Sequence, residues 1–256
     1  MTFPHSAAAA SRLEIVPSTG STNADLRAHA GDVVGWPHLS ALLTEDQVAG
    51  RGRLDRVWTA PAGSAIALSV LLRVGGVPVS ERGWIPLAAG LAMAEAIAAQ
   101  LGRAAVGLKW PNDVLVGDRK ICGILAEAVG ADVVVVGSGV NTAMTPEQLP
   151  VPTATSFAAE GVEPDLDLLV AGYLARLDAA VAGLIEHGSA VASGLHAAVA
   201  ERCVTLGRRV RVVLPGDAEL LGEATALAPD GALVVRVDGV ERRVSAGDVV
   251  HLRTAE

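Results

Sequence analysis

The stretch Lys109-Trp110-Pro111-Asn112-Asp113-Val114-Leu115-Val116-Gly117-Asp118-Arg119-Lys120-Ile121-Cys122-Gly123-Ile124-Leu125-Ala126-Glu127 decides how the chain is read. Short apolar runs alternate with turn residues, so it spells strand, turn, strand, turn, strand. That reading puts Lys109 and Lys120 on neighbouring strands. A lysine among Ile, Leu and Ala is costly to bury unless it meets an anion. The alternative is a lysine whose stem covers apolar surface while its ammonium stays in water.

Upstream lies a second unusual stretch, Gln47-Val48-Ala49-Gly50-Arg51-Gly52-Arg53-Leu54-Asp55-Arg56-Val57-Trp58. Gly50 and Gly52 let the backbone come close to a ligand. Arg51, Arg53 and Arg56 bring forked donors suited to carboxylate or phosphate. Alone, the stretch reads equally as a solvated loop. Leu39–Thr44 and Ala65–Leu72 read as the strands on either side of it. Thr22 with Asp25 resembles a capping box opening a short helix to about Ala30, and Ser21 and Thr22 either cap it or help hold a polar ligand. Pro86–Leu101 is apolar nearly all round and stops at Gly102, as a buried helix should. Asp132–Gly139 is another apolar strand ending in Gly137-Ser138-Gly139-Val140-Asn141. It opens no strand–helix–strand unit, which excludes a dinucleotide fold.

Residues 1–11 read as a disordered tail and 142–164 as a Pro-rich loop. Asp165–Glu186 and Ala190–Glu201 have helical spacing and close a larger domain, 12–203. From 204 to 256 the pattern changes to short strands, Arg208–Leu214, Glu219–Leu227, Leu233–Val237, Glu241–Val244 and Val249–Leu252, and predicts a small β-barrel.

A net charge of −8 speaks against a general attraction to nucleic acid or anionic membrane, so any anion site must be local. Cys122 and Cys203 have neither pairing nor ligand spacing, which suits a reducing, cytoplasmic setting and predicts no metal held by protein ligands. No signal-peptide pattern stands at the start, and Glu95 and Gln100 interrupt the most apolar run.

Four motifs occur in order: Gly50-Arg51-Gly52-Arg53-x-x-Arg56-x-Trp58, Lys109-Trp110-Pro111-Asn112-Asp113, Arg119-Lys120-x-x-Gly123-Ile124-Leu125-x-Glu127 and Gly137-x-Gly139-x-Asn141. Together with Ser21-Thr22-Asn23 and Gln47 they resemble the biotin–protein ligases over residues 12–256. The resemblance implies an α+β fold, with a mixed sheet packed by helices as in class II synthetases, followed by an SH3-like barrel. It implies ATP and Mg2+ as cosubstrates, biotinyl-5′-AMP as intermediate, and a lysine of a biotin carboxyl carrier domain as acceptor.

By motif position, Lys120 would bridge the biotin carboxylate and the α-phosphate, and Arg51 and Arg53 with Gly50 and Gly52 would fold over the adenylate. Ser21, Thr22, Asn23 and Gln47 would surround the ureido ring, and Gly123 would leave room for it. Trp58, Asn112 and Asn141 would lie towards the nucleotide, and Asp113 would orient or deprotonate the acceptor lysine. Glu127 and Lys109 read equally as structural.

Relatives often have Gly where this chain has Asp55, and some carry a DNA-binding domain ahead of the ligase. With motifs from Ser21 on, the expectation is the monofunctional type, a monomer or weak homodimer without operator binding. Lipoate ligases share the chemistry but not the Gly-Arg-Gly-Arg stretch. A nucleic-acid-binding module is the reading from another class, and the acidic balance opposes it.

Overall fold

In the computed structural model, which describes residues 2–54, 56–102, 105–214, 218–245 and 247–252, the apolar runs pair into a seven-stranded sheet. In chain order the strands are β1 (Arg12–Ile15), β2 (Ser40–Thr44), the short pair β3 (Gly50–Arg51) and β4 (Val57–Trp58), β5 (Ala65–Arg73), β6 (Val106–Lys109), β7 (Asp113–Val116), β8 (Arg119–Val129) and β9 (Val133–Asn141). The large sheet runs β1-β2-β5-β9-β8-β7-β6, with β1 and β2 parallel and every other neighbouring pair antiparallel. Strands β3 and β4 form a separate hairpin. The helices are α1 (Pro4–Ala9), α2 (Thr22–Ala28), α3 (Ile85–Leu101), α4 (Leu166–His187) and α5 (Leu195–Arg202).

The two faces of the sheet differ because strand side chains alternate. Ile66, Leu68, Val70 and Leu72 of β5 and Val134, Val136 and Val140 of β9 join the core built with α3 and α4. Val79–Leu101, which contains α3, and α4 are long and apolar enough to cross a membrane by length and composition, yet here α3 and α4 form the cover of the sheet. Glycine stops each: Gly102 and Gly188 take the left-handed conformation at the C-caps, which costs them no Cβ clash. On the opposite face α2, Trp36, Leu42, Leu71, Val133 and Val135 make a smaller core at one end. Beside it the same face carries Ala67, Ser69, Gly137 and Gly139, and these small residues leave a hollow.

Four sequence expectations need correction. Residues 4–9 are not a loose tail: α1 packs on α4, Phe3 is buried, and the Asp167 carboxylate accepts from the Ser6 N–H at 2.7 Å. The cap of α2 is Ser21, whose hydroxyl accepts from Ala24 N, so Thr22 is the first helical residue and not the cap. Strands β6 and β8 are not neighbours, since β7 separates Lys109 from Lys120. The fourth correction is to the fold class, at the C-terminal barrel.

Strands β10 (Arg209–Val213), β11 (Glu219–Leu227), β12 (Leu233–Val237), β13 (Val240–Val244) and β14 (Asp248–His251) form an open antiparallel sheet in the order β13-β12-β11-β10-β14. The edges β13 and β14 do not pair, so no barrel closes. Closure needs the strands to curl until the edges meet. Here the exposed Glu241, Arg242 and Arg243 make β13 a charged edge of the kind that resists further pairing. The inner face of this sheet, with Val210, Val212, Ala224, Leu233 and Val235, belongs to the same apolar core as α3. Two indoles pin it further. Trp84 Nε1 donates to Pro229 O at 2.8 Å and Trp110 Nε1 to Gly231 O at 3.0 Å.

Candidate active site

The hollow is a pocket of about 330 Å³. Thr22, Gln47, Trp58, Ala67 and Gly139 line one end, and Arg53, Lys109, Asp113, Lys120 and Asp248 line the other. Two of its glycines, Gly137 and Gly139, are required by contact. A Cβ on Gly137 would lie 2.3 Å from Asn23 Oδ1, and one on Gly139 would lie 2.7 Å from the Trp58 ring. Thus the Gly-x-Gly motif lets two side chains lie flat on β9.

Lys120 reaches the pocket through an irregularity. Val114 of β7 pairs with Cys122, but the next residue, Leu115, pairs with Lys120, so Ile121 is an extra residue in β8. Such a bulge reverses the alternation. Cys122 and Ile124 point into the core, and without the extra residue Lys120 would point there too. Instead its ammonium sits 2.6 Å from Asp113 Oδ1 and 3.0 Å from where a Cβ on Gly123 would be. Lys109 approaches the other carboxylate oxygen at 4.0 Å. Burial draws the Lys109 ammonium below its ordinary pKa; Asp113 opposes the fall, and Lys120 and Arg56 add to it. Asp113 therefore holds together two cations that repel each other.

The Gly-Arg hairpin crosses over this end. Arg53 donates to Asn112 Oδ1 at 3.0 Å and to Gly247 O at 3.2 Å, and its other neighbour is Asp248. Arg56 is paired with the same Asp248. Asn112 donates in turn to Ile124 O at 3.0 Å, which fixes its amide. Asp55 lies outside the described residues.

The uncharged end is a buried hydrogen-bond chain. Gln47 Oε1 accepts from the Thr22 backbone N–H at 2.9 Å and lies 3.1 Å from Thr22 Oγ1. Thr22 Oγ1 is 2.7 Å from Ser69 Oγ, and Ser69 Oγ is 2.6 Å from Asn23 Oδ1. Asn23 Nδ2 donates to Leu125 O at 3.2 Å and to Glu127 Oε2 at 2.8 Å, while Arg27 holds the other Glu127 oxygen at 2.7 Å.

Of the residues singled out in the sequence, Ser21, Thr22, Asn23, Gln47, Arg51, Gly52, Arg53, Trp58, Asn112, Asp113, Lys120 and Gly123 all line this one pocket. Gly50 is packed behind Gln47 and Trp58. Asn141 is not among the lining residues; it is buried, and its amide donates to Thr155 O at 2.8 Å. Sequence reasoning missed Ser69, which carries no motif and stands behind the pocket wall on Thr22 and Asn23, and Asp248 to Val250, which line the pocket from the other sheet. Lys109 was legible as a lysine in an apolar strand, but its bond to Asp113 was not.

Comparison with known proteins follows the same outline. The family profile described as the biotin/lipoate A/B protein ligase family matches residues 17–141, and that of the biotin protein ligase C-terminal domain matches 205–252. A biotin–[acetyl-CoA-carboxylase] ligase of Mycobacterium tuberculosis is 43% identical over 94% of this chain and 90% of its own length. The bifunctional ligase/repressor BirA of Escherichia coli is 31% identical over 94% of this chain and 74% of its own. Among solved structures, the Aquifex aeolicus biotin protein ligase in complex with biotin and ATP superposes with a TM-score of 0.76 at 23% identity, covering 95% of this chain and all of that one. With this span and identity to the mycobacterial ligase, beneath a shared fold, the chain belongs to the biotin–protein ligases.

Proposed function

We propose that this chain activates biotin with MgATP as biotinyl-5′-AMP and transfers the biotinyl group to a lysine of a biotin carboxyl carrier domain. The observation that carries the reading is one pocket with a neutral polar end for a ureido ring and a cationic end for a carboxylate meeting a phosphate. In the first step a carboxylate oxygen attacks the α-phosphorus and pyrophosphate leaves. In the second, a lysine amine attacks the acyl carbon, AMP leaves and the amine loses a proton.

Lys120 stands where the two anions meet. Here it pairs with Asp113, and on binding it would exchange that partner for the carboxylate and phosphate oxygens. Lys109 then keeps Asp113 paired, so the exchange leaves no lone charge. Freed of Lys120, Asp113 is placed to receive the proton of the acceptor amine. Arg51 and Arg53 would cover the adenylate, and preset donors of this kind act best where water is excluded. Magnesium would arrive on the polyphosphate, because both pocket carboxylates, Asp113 and Asp248, already face cations. We divide the roles near residue 204, with the C-terminal sheet supplying a wall through Asp248. A cytoplasmic setting fits the two free, buried cysteines.

The test is incubation of the purified chain with labelled biotin, MgATP and a carrier domain. Label should appear on one carrier lysine, and none should appear with lipoate. Equal turnover of lipoate would overturn the assignment of substrate.

A further inference from the structure

The neutral end of the pocket contains a shortage of hydrogens. Three oxygen–oxygen contacts run in series, Gln47 Oε1 to Thr22 Oγ1, Thr22 Oγ1 to Ser69 Oγ, and Ser69 Oγ to Asn23 Oδ1. Only the two hydroxyls bring hydrogens to them, so one contact must go without. Thr22, Asn23 and Ser69 are all buried, and a buried oxygen without a donor is costly.

The direction of the chain is set from behind. Asn23 faces a carbonyl oxygen, Leu125 O, and a carboxylate oxygen, Glu127 Oε2. Both are acceptors only, so the Asn23 amide must turn its NH2 to them and its oxygen to Ser69. That oxygen takes the Ser69 hydrogen across 2.6 Å. Ser69, its own hydrogen committed, must then accept the Thr22 hydrogen across 2.7 Å. The contact left without a hydrogen is the longest, 3.1 Å from Thr22 to Gln47, and Gln47 Oε1 is already satisfied by the Thr22 backbone N–H. Every other assignment leaves two of these oxygens without a donor, whereas this one leaves only Thr22 Oγ1, on the pocket wall.

We propose that Ser69 is a specificity-determining residue: by taking the Thr22 hydrogen it makes Thr22 face the ligand as an acceptor only, so that the pocket selects a ring bearing N–H there. A free threonine hydroxyl would rotate and serve either a donor or an acceptor. This one cannot turn its hydrogen to the ligand without leaving Ser69 and Asn23 mismatched. Ser69 touches no ligand in this scheme, and its effect passes through Thr22. The inference rests on the biotin reading of the pocket and names what that reading selects for.

The experiment is calorimetric titration of the wild-type chain and Ser69→Ala with biotin and with its two cyclic carbamate analogues, in which oxygen replaces one ureido N–H or the other. The wild type should prefer biotin to one analogue by about a hundredfold, the size of a mismatched buried hydrogen bond. In Ser69→Ala the Thr22 hydroxyl turns freely, and that preference should shrink about tenfold, mainly because the analogue binds better. A merely structural serine would weaken all ligands alike and leave the preference unmoved, which would overturn the proposal. Wild-type binding of both analogues within about threefold of biotin would overturn it without any variant. A wild type that binds no biotin would instead remove the reading of the pocket on which the proposal rests.

Discussion

At one end of the pocket Thr22, Asn23 and Gln47, with Ser69 behind them, carry no charge, while at the other Arg53, Lys109, Asp113, Lys120 and Asp248 are all ionisable. The charged end works by sum: cations gathered around two carboxylates make a place for anions, and small shifts of position change little. The neutral end works by direction, since which atom holds a hydrogen decides what is accepted. A long-range field tolerates motion, whereas a hydrogen bond weakens steeply with misalignment. The two ends differ in backbone accordingly. The neutral end rests on β5, β9 and the start of α2, whereas the charged end, besides Lys109, Asp113 and Lys120 on β6, β7 and β8, also draws Arg53 from the hairpin and Asp248 from the second sheet.

The sharpest way to break this division is Lys120→Ala. Stabilisation realised at the transition state appears in the rate and not in affinity. Pyrophosphate release in a single turnover should fall about a hundredfold to a thousandfold, the usual effect of removing one such donor. Biotin affinity, measured apart, should change far less. A near-normal rate would remove Lys120 from the chemistry.

Gly137→Ala should do the reverse. Its Cβ would press on Asn23 Oδ1, and overpacking of this kind costs about 1–3 kcal/mol. Biotin affinity should drop about tenfold or more, while turnover at saturating biotin is nearly kept. A loss in rate with affinity intact would mean that the ends are not separate.

A smaller effect is expected from Asp248→Asn, which weakens the hold of the C-terminal sheet on Arg53 and Arg56. Amide exchange across 50–58 should quicken without ligand and slow again with biotinyl-5′-AMP. The apparent KM for ATP should rise several-fold, as when a closing loop loses an anchor. Unchanged exchange would show that the hairpin needs no anchor.

The mildest effect concerns pH. Thr205 Oγ1 accepts from Trp110 N–H at 3.0 Å and lies 3.1 Å from His251 Nε2. Burial, with Lys109 and Arg208 nearby, lowers the His251 pKa from 6.5 to about 4, against the opposing charge of Asp118. Below pH 6.5 the unfolded chain takes up a proton that the folded one refuses, so this contribution is full above 6.5 and is lost as pH falls towards 4. His251→Gln should flatten the decline of thermal midpoint over that window. An unchanged slope would assign the decline to other groups.

Much of this was legible in the sequence because it is local. Glu219–Leu227 and Leu233–Val237 are strands with those bounds, and Gly102 ends α3. The motif residues, apart from Gly50, Arg119, Glu127 and Asn141, line one pocket. What escaped was tertiary. Lys120 was visible as a lysine in the wrong company, but the bulge at Ile121 that turns it outward depends on pairing with β7. Ser69 reads as an ordinary strand serine until Asn23 and Thr22 are brought to it. Strand count and length predict a barrel, yet closure depends on whether two edges meet, and the charged β13 stays an open edge.

The indoles of Trp84 and Trp110 have a bearing on how the whole chain melts. Each takes a carbonyl from the turn between β11 and β12, on a sheet whose inner face continues the core of α3. Parting the two units would strand both indole N–H groups and wet a shared apolar seam in one stroke, so neither half has a cheap way to loosen first. Heating should give a single calorimetric peak, with the van't Hoff enthalpy equal to the measured one. A chain cut after residue 203 would then be no smaller ligase but an exposed seam prone to aggregate.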